Sequence, residues 1–331
     1  MAGSEDVTNE LPRTRILFVA ANPSLDRLYE VKLLEPGTIH RPSLVVAVAG
    51  GKGLNAARAA ARLGGNVTAV GIVGGRAGDW IADRLAEIEL DARLVRTTAE
   101  ARTCVSIHDR ATGGLTEIYE AGEPIEPASW LELESVVDAE LDRGDVAAIA
   151  FSGSLLPGAP TEGFARLARL AGRASKGMER PIQVIADTYG EPLAALLGQR
   201  PAIVKVNAAE AGEATGAAVV DVRSAVAAAH ALRDRGASSA IVTLGLDGAV
   251  VATESGASHL VPPEARGAYP VGSGDAFMAG LAVGLVGGAS VIEAARLGVA
   301  AGIANAQVPG AGELDPVAGN LLLRGVSITA V

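Results

Sequence analysis

Val271-Gly272-Ser273-Gly274-Asp275-Ala276-Phe277-Met278-Ala279-Gly280 runs a glycine-rich turn straight into an apolar, helix-periodic segment, with an aspartate at the junction. Backbone N–H groups at a helix start lack partners and carry the positive end of the helix dipole, so they form a ready anion site. Gly272 and Gly274 leave the main chain open to a bulky anion that a Cβ would keep away. A carboxylate is unwelcome beside a bound phosphate unless it takes a proton from the nucleophile attacking that phosphate. Asp275 therefore has two readings, an N-cap on an ordinary helix or a base beside a phosphate cradle. The stretch alone leaves both open.

Around it, short β-branched runs alternate with longer Ala/Leu/Arg segments of helical period. Strands are expected at 16–20, 67–73, 146–151, 182–186, 203–206 and 240–244. Helices are expected at 54–63, 80–88, 129–141, 161–173, 208–215, 222–235, 275–286 and 291–307. The strands are apolar throughout, which predicts burial on both faces and hence a mostly parallel sheet between two helical layers. Ligands of such α/β sheets gather at the carboxyl ends of the strands. Two stretches, 27–48 and 103–120, alternate apolar and polar residues without an intervening helix. The expected organisation is a mobile tail (1–12), an α/β body (13–26, 49–101 and 121–331) and a small β lid from two insertions (27–48 and 102–120). An exposed lid face needs cover, and a homodimer through the lid would supply it.

The net charge of −10 argues against a nucleic-acid surface or an anionic membrane as partner. One cysteine, Cys104, excludes an internal disulfide and fits a reducing compartment. No apolar run is long enough for a membrane span, and the polar start of the chain has no signal-peptide core, so a cytoplasmic protein is expected. The histidines His40, His108, His230 and His259 show no metal-ligand spacing.

A second glycine cluster, Gly50-Gly51-Lys52-Gly53-Leu54-Asn55, also opens onto a helical segment. Its glycine spacing is not that of a Walker A loop, and Leu54 stands where Ser or Thr should follow. Its amides, Lys52 and Asn55 suit a polyhydroxylated ligand, although a tight structural turn would look the same.

Together with Asn22-Pro23-Ser24-Leu25-Asp26, these clusters resemble the ribokinase-like, or PfkB, family of carbohydrate kinases. The resemblance runs from about residue 16 to 309 and includes Ser152-Gly153-Ser154, Asp187, Lys205–Glu210, Thr243–Gly248 and Gly272–Asp275 in family order. Within the family it is strongest to the hexose-phosphate kinases (1-phosphofructokinase, tagatose-6-phosphate kinase and the minor 6-phosphofructokinase). It implies a three-layer α/β/α fold with a β lid, and transfer of the γ-phosphate of ATP, with Mg²⁺, to a ketohexose phosphate. By the same resemblance, Asp275 is the base and Gly272, Ser273 and Gly274 form the anion hole. Asp26, Gly50, Gly51, Lys52 and Asn55 contact the sugar, and Arg102 and Ser154 its existing phosphate. Lys205, Asn207, Glu210, Thr243, Gly245, Asp247 and Gly248 serve the nucleotide, with Asn207 and Glu210 organising Mg²⁺ through water. Because the acceptor's proton leaves late, an aspartate of ordinary acidity should suffice as base.

The chain departs from the family around the acceptor. Tyr269-Pro270 stands where many sugar kinases have Asp-Thr, Tyr119 replaces an asparagine, and Tyr189 replaces a serine. Ala101 replaces a threonine before Arg102, and Val206 replaces a proline. Two other readings therefore remain, a kinase of an unphosphorylated sugar or nucleoside and a non-catalytic sugar-phosphate sensor. A Rossmann oxidoreductase is disfavoured, since no acidic residue follows a GxGxxG turn at the expected distance.

Overall fold

A computed structural model describes residues 14–331, so the tail expected at 1–12 lies outside the described residues. The chain begins with β1 (Arg15–Ala20), β2 (Ser24–Val31), β3 (Leu44–Gly50), α1 (Lys52–Arg62), β4 (Asn66–Gly74), α2 (Gly75–Glu87) and β5 (Ala92–Thr97). It continues with β6 (Arg102–Asp109), β7 (Leu115–Tyr119), α3 (Pro127–Asp142), β8 (Val146–Ser152), α4 (Gly163–Ala174), β9 (Gln183–Asp187) and α5 (Gly190–Leu197). Then follow β10 (Ile203–Asn207), α6 (Ala208–Thr215), α7 (Val222–Asp234), β11 (Ser239–Thr243), β12 (Ala249–Thr253) and β13 (Gly256–Val261). The last elements are α8 (Ser273–Val286), α9 (Val291–Ala306), α10 (Pro316–Gly325) and β14 (Ser327–Ala330).

Ten strands form one sheet in the order β14-β13-β12-β11-β10-β9-β8-β1-β4-β5. Pairing is parallel from β11 through β5, and β12, β13 and β14 add an antiparallel edge. Alternate residues of β1 feed two cores. Ile16 and Phe18 pack with apolar residues of α1, α2, α8 and α9, whereas Leu17 and Val19 pack with those of α3, α4, α5 and α7. Burial on both faces explains why these strands are apolar throughout instead of alternating.

All six expected strands and all eight expected helices are present, within a few residues at their ends. The largest boundary difference is α2, which starts at Gly75 rather than near residue 80. Glu100 accepts hydrogen bonds from the N–H groups of Arg76 (3.1 Å) and Ala77 (2.7 Å), so a carboxylate remote in sequence caps this end. Helices α5 and α10 and strands β5, β12, β13 and β14 lie outside the elements expected from sequence.

The stretches without helical period form a second sheet, β3-β2-β6-β7. Its strands reach further than expected: β2 starts at Ser24 and β3 ends at Gly50, so Asp26 and Gly50 are themselves strand residues. Register places Asp26 opposite both Val48 and Cys104, and Cys104 opposite Tyr119. Asp26, Leu28 and Glu30 share the face turned to the body, because strand side chains alternate.

Candidate active site

The turn before α8 has the conformation that its glycines allow. Gly272 has φ 84°, and an added Cβ would stand 2.6 Å from Gly312 N. The N-cap of α8 is Gly272 and not Asp275, which lies in the first turn with its carboxylate buried. Burial pushes Asp275 up to about 7, because desolvation and the nearby Asp187 carboxylate outweigh Lys52, Lys205 and the hydrogen bond from Asn55. The expectation of an ordinary acidity is thereby corrected. Asn55 is a neutral donor and Lys52 and Lys205 act on this carboxylate only through space, so the cost of burying its charge is only partly offset.

Asn55, on α1, donates from Nδ2 to Asp275 Oδ2 (3.0 Å) and lies 3.4 Å from Asp26 Oδ2. Its own Oδ1 accepts from Arg58 Nη2 at 2.9 Å, which fixes the amide with its N–H groups toward the carboxylates. Arg58 is buried and also donates to Ala49 O and Ala311 O, while Glu313 lies 3.0 Å from its Nε. Asp26 further accepts from Ser24 Oγ (2.5 Å) and Gly51 N (3.2 Å). Burial raises Asp26 above its usual range despite those hydrogen bonds. A Cβ on Gly50 would stand 2.1 Å from the Asp26 carboxylate, so glycine leaves room for that carboxylate over the strand.

A charged chain runs from the glycine turn to the tip of β10. Lys205 Nζ donates to Asp187 Oδ2 at 2.6 Å, and a Cβ on Gly274 would meet the same ammonium at 3.2 Å. Lys52 Nζ lies 3.3 Å from Asp187 Oδ1 and 3.1 Å from Glu210 Oε1, and 5.9 Å above the Tyr189 ring. Burial opposes the Lys52 charge, but Asp187, Glu210 and Asp275 more than offset it and hold the ammonium above the ordinary lysine range. Asp187 is fully buried; Lys205 and Lys52 outweigh desolvation and keep it below the usual carboxylate range. Asn207 and Glu210 form a capping box on α6: Glu210 N donates to Asn207 Oδ1 and Asn207 N to Glu210 Oε2, both at 2.9 Å.

Arg102 and Ser154 meet through Asn22. Arg102 Nη2 donates to Asn22 O (3.2 Å), Nη1 lies 3.4 Å from Glu120 O, and Asn22 Nδ2 donates to Ser154 Oγ (3.1 Å). Among the described residues, Arg102 Nε and Asn22 Oδ1 are buried without a hydrogen-bond partner. On the other side of the glycine turn, a cleft of about 1250 Å³ is lined by Thr243, Gly245, Asp247 and Gly248 and by Ser273 and Gly274 of the turn.

The structure thus gathers Asp26, Gly50, Gly51, Asn55 and Asp275 into one cluster and lines the cleft with the other expected loop. Lys52, expected to contact the sugar, pairs with Asp187 and Glu210. Sequence reasoning assigns Arg58 no role, and Asn22 and Asp187 none beyond their places in the motif order. Arg58 has one available signal, a charge three residues after Asn55 with alanines on both sides.

The pfkB family carbohydrate kinase pattern matches residues 20–318. The chain is 33% identical over 292 residues to a 1-phosphofructokinase of Xanthomonas campestris, covering 86% of this chain and 88% of that one. It is 32% identical to a tagatose-6-phosphate kinase of Staphylococcus epidermidis, over 82% of this chain and 85% of the relative. Phosphofructokinase-2 from Escherichia coli, solved with fructose-6-phosphate, superposes with a TM-score of 0.80 at 27% identity, over 95% of this chain and 99% of that one. A glycine turn opening a helix, a buried aspartate in its first turn and a mostly parallel sheet presenting both thus accompany a pattern that spans most of the sequence, and the chain belongs to the pfkB family of carbohydrate kinases, phosphotransferases with an alcohol group as acceptor.

Proposed function

We propose that this protein transfers the γ-phosphate of ATP to a primary hydroxyl of a ketohexose phosphate, such as fructose 1-phosphate, fructose 6-phosphate or tagatose 6-phosphate. One observation carries the reading: the Asn55 amide holds Asp26 and Asp275 side by side. Asp26 accepts hydrogen bonds from sugar hydroxyls and fixes the acceptor. Asp275 removes the proton of the hydroxyl that attacks phosphorus, and the amides of Gly272–Gly274 with Lys205 neutralise the charge that spreads over the transferring group. ATP occupies the cleft behind the glycine turn, against Thr243, Gly245, Asp247 and Gly248.

Asn207 and Glu210 fit a role toward Mg²⁺ through water. Both supply oxygen, the donor that Mg²⁺ prefers, but their capping box and Lys52 already engage them. Among the described residues no cluster of three or more His, Cys, Asp or Glu could hold a metal, which suits an ion carried on the nucleotide phosphates with its waters. When bound, the ion would neutralise phosphate charge.

The unpartnered Arg102 Nε–H, with the Ser154 hydroxyl, supports a site there for the acceptor's existing phosphate. We take the second sheet as a lid that excludes water. The exposed Val45 and Ile118 on that sheet support a homodimer formed through it. One observation favours a neutral acceptor instead: both Arg102 Nη groups face backbone carbonyls. Assay of fructose 1-phosphate, fructose 6-phosphate, tagatose 6-phosphate, fructose, ribose and adenosine with ATP and Mg²⁺ decides. Turnover confined to the phosphorylated ketoses is expected; turnover of fructose, ribose or adenosine alone would overturn the reading.

A further inference from the structure

Tyr269 stands where the chain departs from its family, two residues before Val271 and at the entry to the anion hole. Its backbone belongs to the body: Tyr269 N donates to Ala306 O at 2.9 Å. The segment after it is equally tied, since Asn305 Nδ2 donates to Val271 O at 2.8 Å and Ser273 N to Pro270 O at 3.1 Å. Its side chain crosses to the second sheet, where Oη donates to Glu30 Oε2 at 3.0 Å. The Tyr269 ring meets the His108 ring edge-on, with centroids 5.4 Å apart.

Glu30 is held ready for this contact by its own sheet. Ser43 Oγ donates to Glu30 Oε1 at 3.0 Å, His108 Nδ1 lies 3.5 Å from Oε2, and Arg110 Nη1 lies 3.7 Å from Oε1. Glu30 follows Asp26 by four residues on the same face of β2, a separation of about 13 Å along the strand. The sheet is thus fastened to the body at both places. At one, Asp26 accepts from Gly51 N and lies within reach of Asn55; at the other, Glu30 receives Tyr269. Between them is a small pocket lined by Asp26, Leu28, Ser106, Tyr119, Tyr269 and Val271.

We infer that the Tyr269–Glu30 hydrogen bond is a clasp that holds the second sheet against the segment carrying the anion hole, making Tyr269 and Glu30 positioning residues for phosphoryl transfer. The inference rests on the kinase reading above for its kinetic consequence, though not for its structural one. With the clasp made, the pocket beside Asp26 stays narrow and the 269–275 backbone is held from two sides. With it broken, the sheet pivots about the Asp26 end, the pocket opens to water, and the acceptor hydroxyl loses its alignment with Asp275.

The test combines hydrogen–deuterium exchange with kinetics on Tyr269→Phe, which keeps the ring against His108 and removes only the hydroxyl. Faster exchange is expected in both β2–β3 and 269–276, with kcat/KM for the acceptor about tenfold lower, KM for ATP within about twofold, and more ATP hydrolysed per acceptor phosphorylated. Glu30→Gln, which keeps an acceptor oxygen, should stay close to wild type, and Glu30→Ala should match Tyr269→Phe. The double variant Tyr269→Phe/Glu30→Ala should be no worse than either single one. Unchanged exchange at 269–276, or additive losses in the double variant, would overturn the clasp. So would equal losses for ATP and acceptor with a lowered Tm, since that pattern marks a merely structural contact. A wild-type protein that phosphorylates no sugar phosphate would sink the functional reading, while the exchange data would still decide the clasp.

Discussion

Asn55 donates its side-chain amide to Asp275 at 3.0 Å across 220 positions of sequence. The contact joins the helix after the first glycine cluster to the helix after the second. The bridging group is neutral, so Asp275 gains a hydrogen bond without a touching counter-charge, and burial is left to dominate its acidity.

With Asp275 pushed up to about 7, the acid limb of kcat/KM against pH should lie near pH 7 and not near 4. Stability should follow the opposite trend. Between the ordinary carboxylate value and about 7 the folded chain binds this proton more tightly than the unfolded chain, so stability falls as pH rises through that window. Asp275→Asn should therefore raise the Tm by a few degrees at pH 8 and little at pH 4.5, while lowering kcat by about 10²–10⁴-fold. Thermal melts at the two pH values and a steady-state assay check both. A wild-type acid limb near pH 4 would contradict the buried-base account.

Lys52 stabilises the charged form of Asp275 from a distance and pairs with Asp187 and Glu210. Lys52→Met should move the acid limb of kcat/KM upward and reduce kcat by about 10²-fold, with a smaller effect on acceptor KM. If acceptor KM alone rises and the limb stays in place, Lys52 acts on the sugar, as its place in the glycine cluster first suggested.

Arg102→Ala should raise KM for a phosphorylated acceptor by about tenfold or more, leaving KM for ATP and the Tm nearly unchanged. The carbonyls of Asn22 and Glu120 that face its Nη groups would then turn to water, at small cost in stability. A drop in Tm with unchanged acceptor KM would assign Arg102 to holding Asn22 and Glu120 instead.

Much of the fold is legible because the signals are local. Apolar runs such as 16–20 and 146–151 have to be buried on both faces wherever they fold, and helical period marks 208–215 and 275–286 equally well. Strand β5 escapes notice because its pattern is interrupted by Arg93 and Arg96, each paired with an aspartate (Asp91 and Asp79). The start of α2 escapes notice because its capping carboxylate, Glu100, follows the helix instead of preceding it. For the site, glycine clusters advertise backbone that must approach something closely. Arg58 carries no such mark, because its role depends on carbonyls and a glutamate that the fold brings round it.

The sequence by itself determined the alternation of strands and helices, the two glycine turns and the order of the family's residues, because these follow from period, composition and spacing along the chain. Only the tertiary structure decided that the Asp275 carboxylate is buried and does not cap its helix, that Lys52 pairs with Asp187 and Glu210, and that Tyr269 reaches Glu30. Acidity and pairing depend on desolvation and on charges a few ångströms away in space, and no spacing along the chain encodes those neighbours.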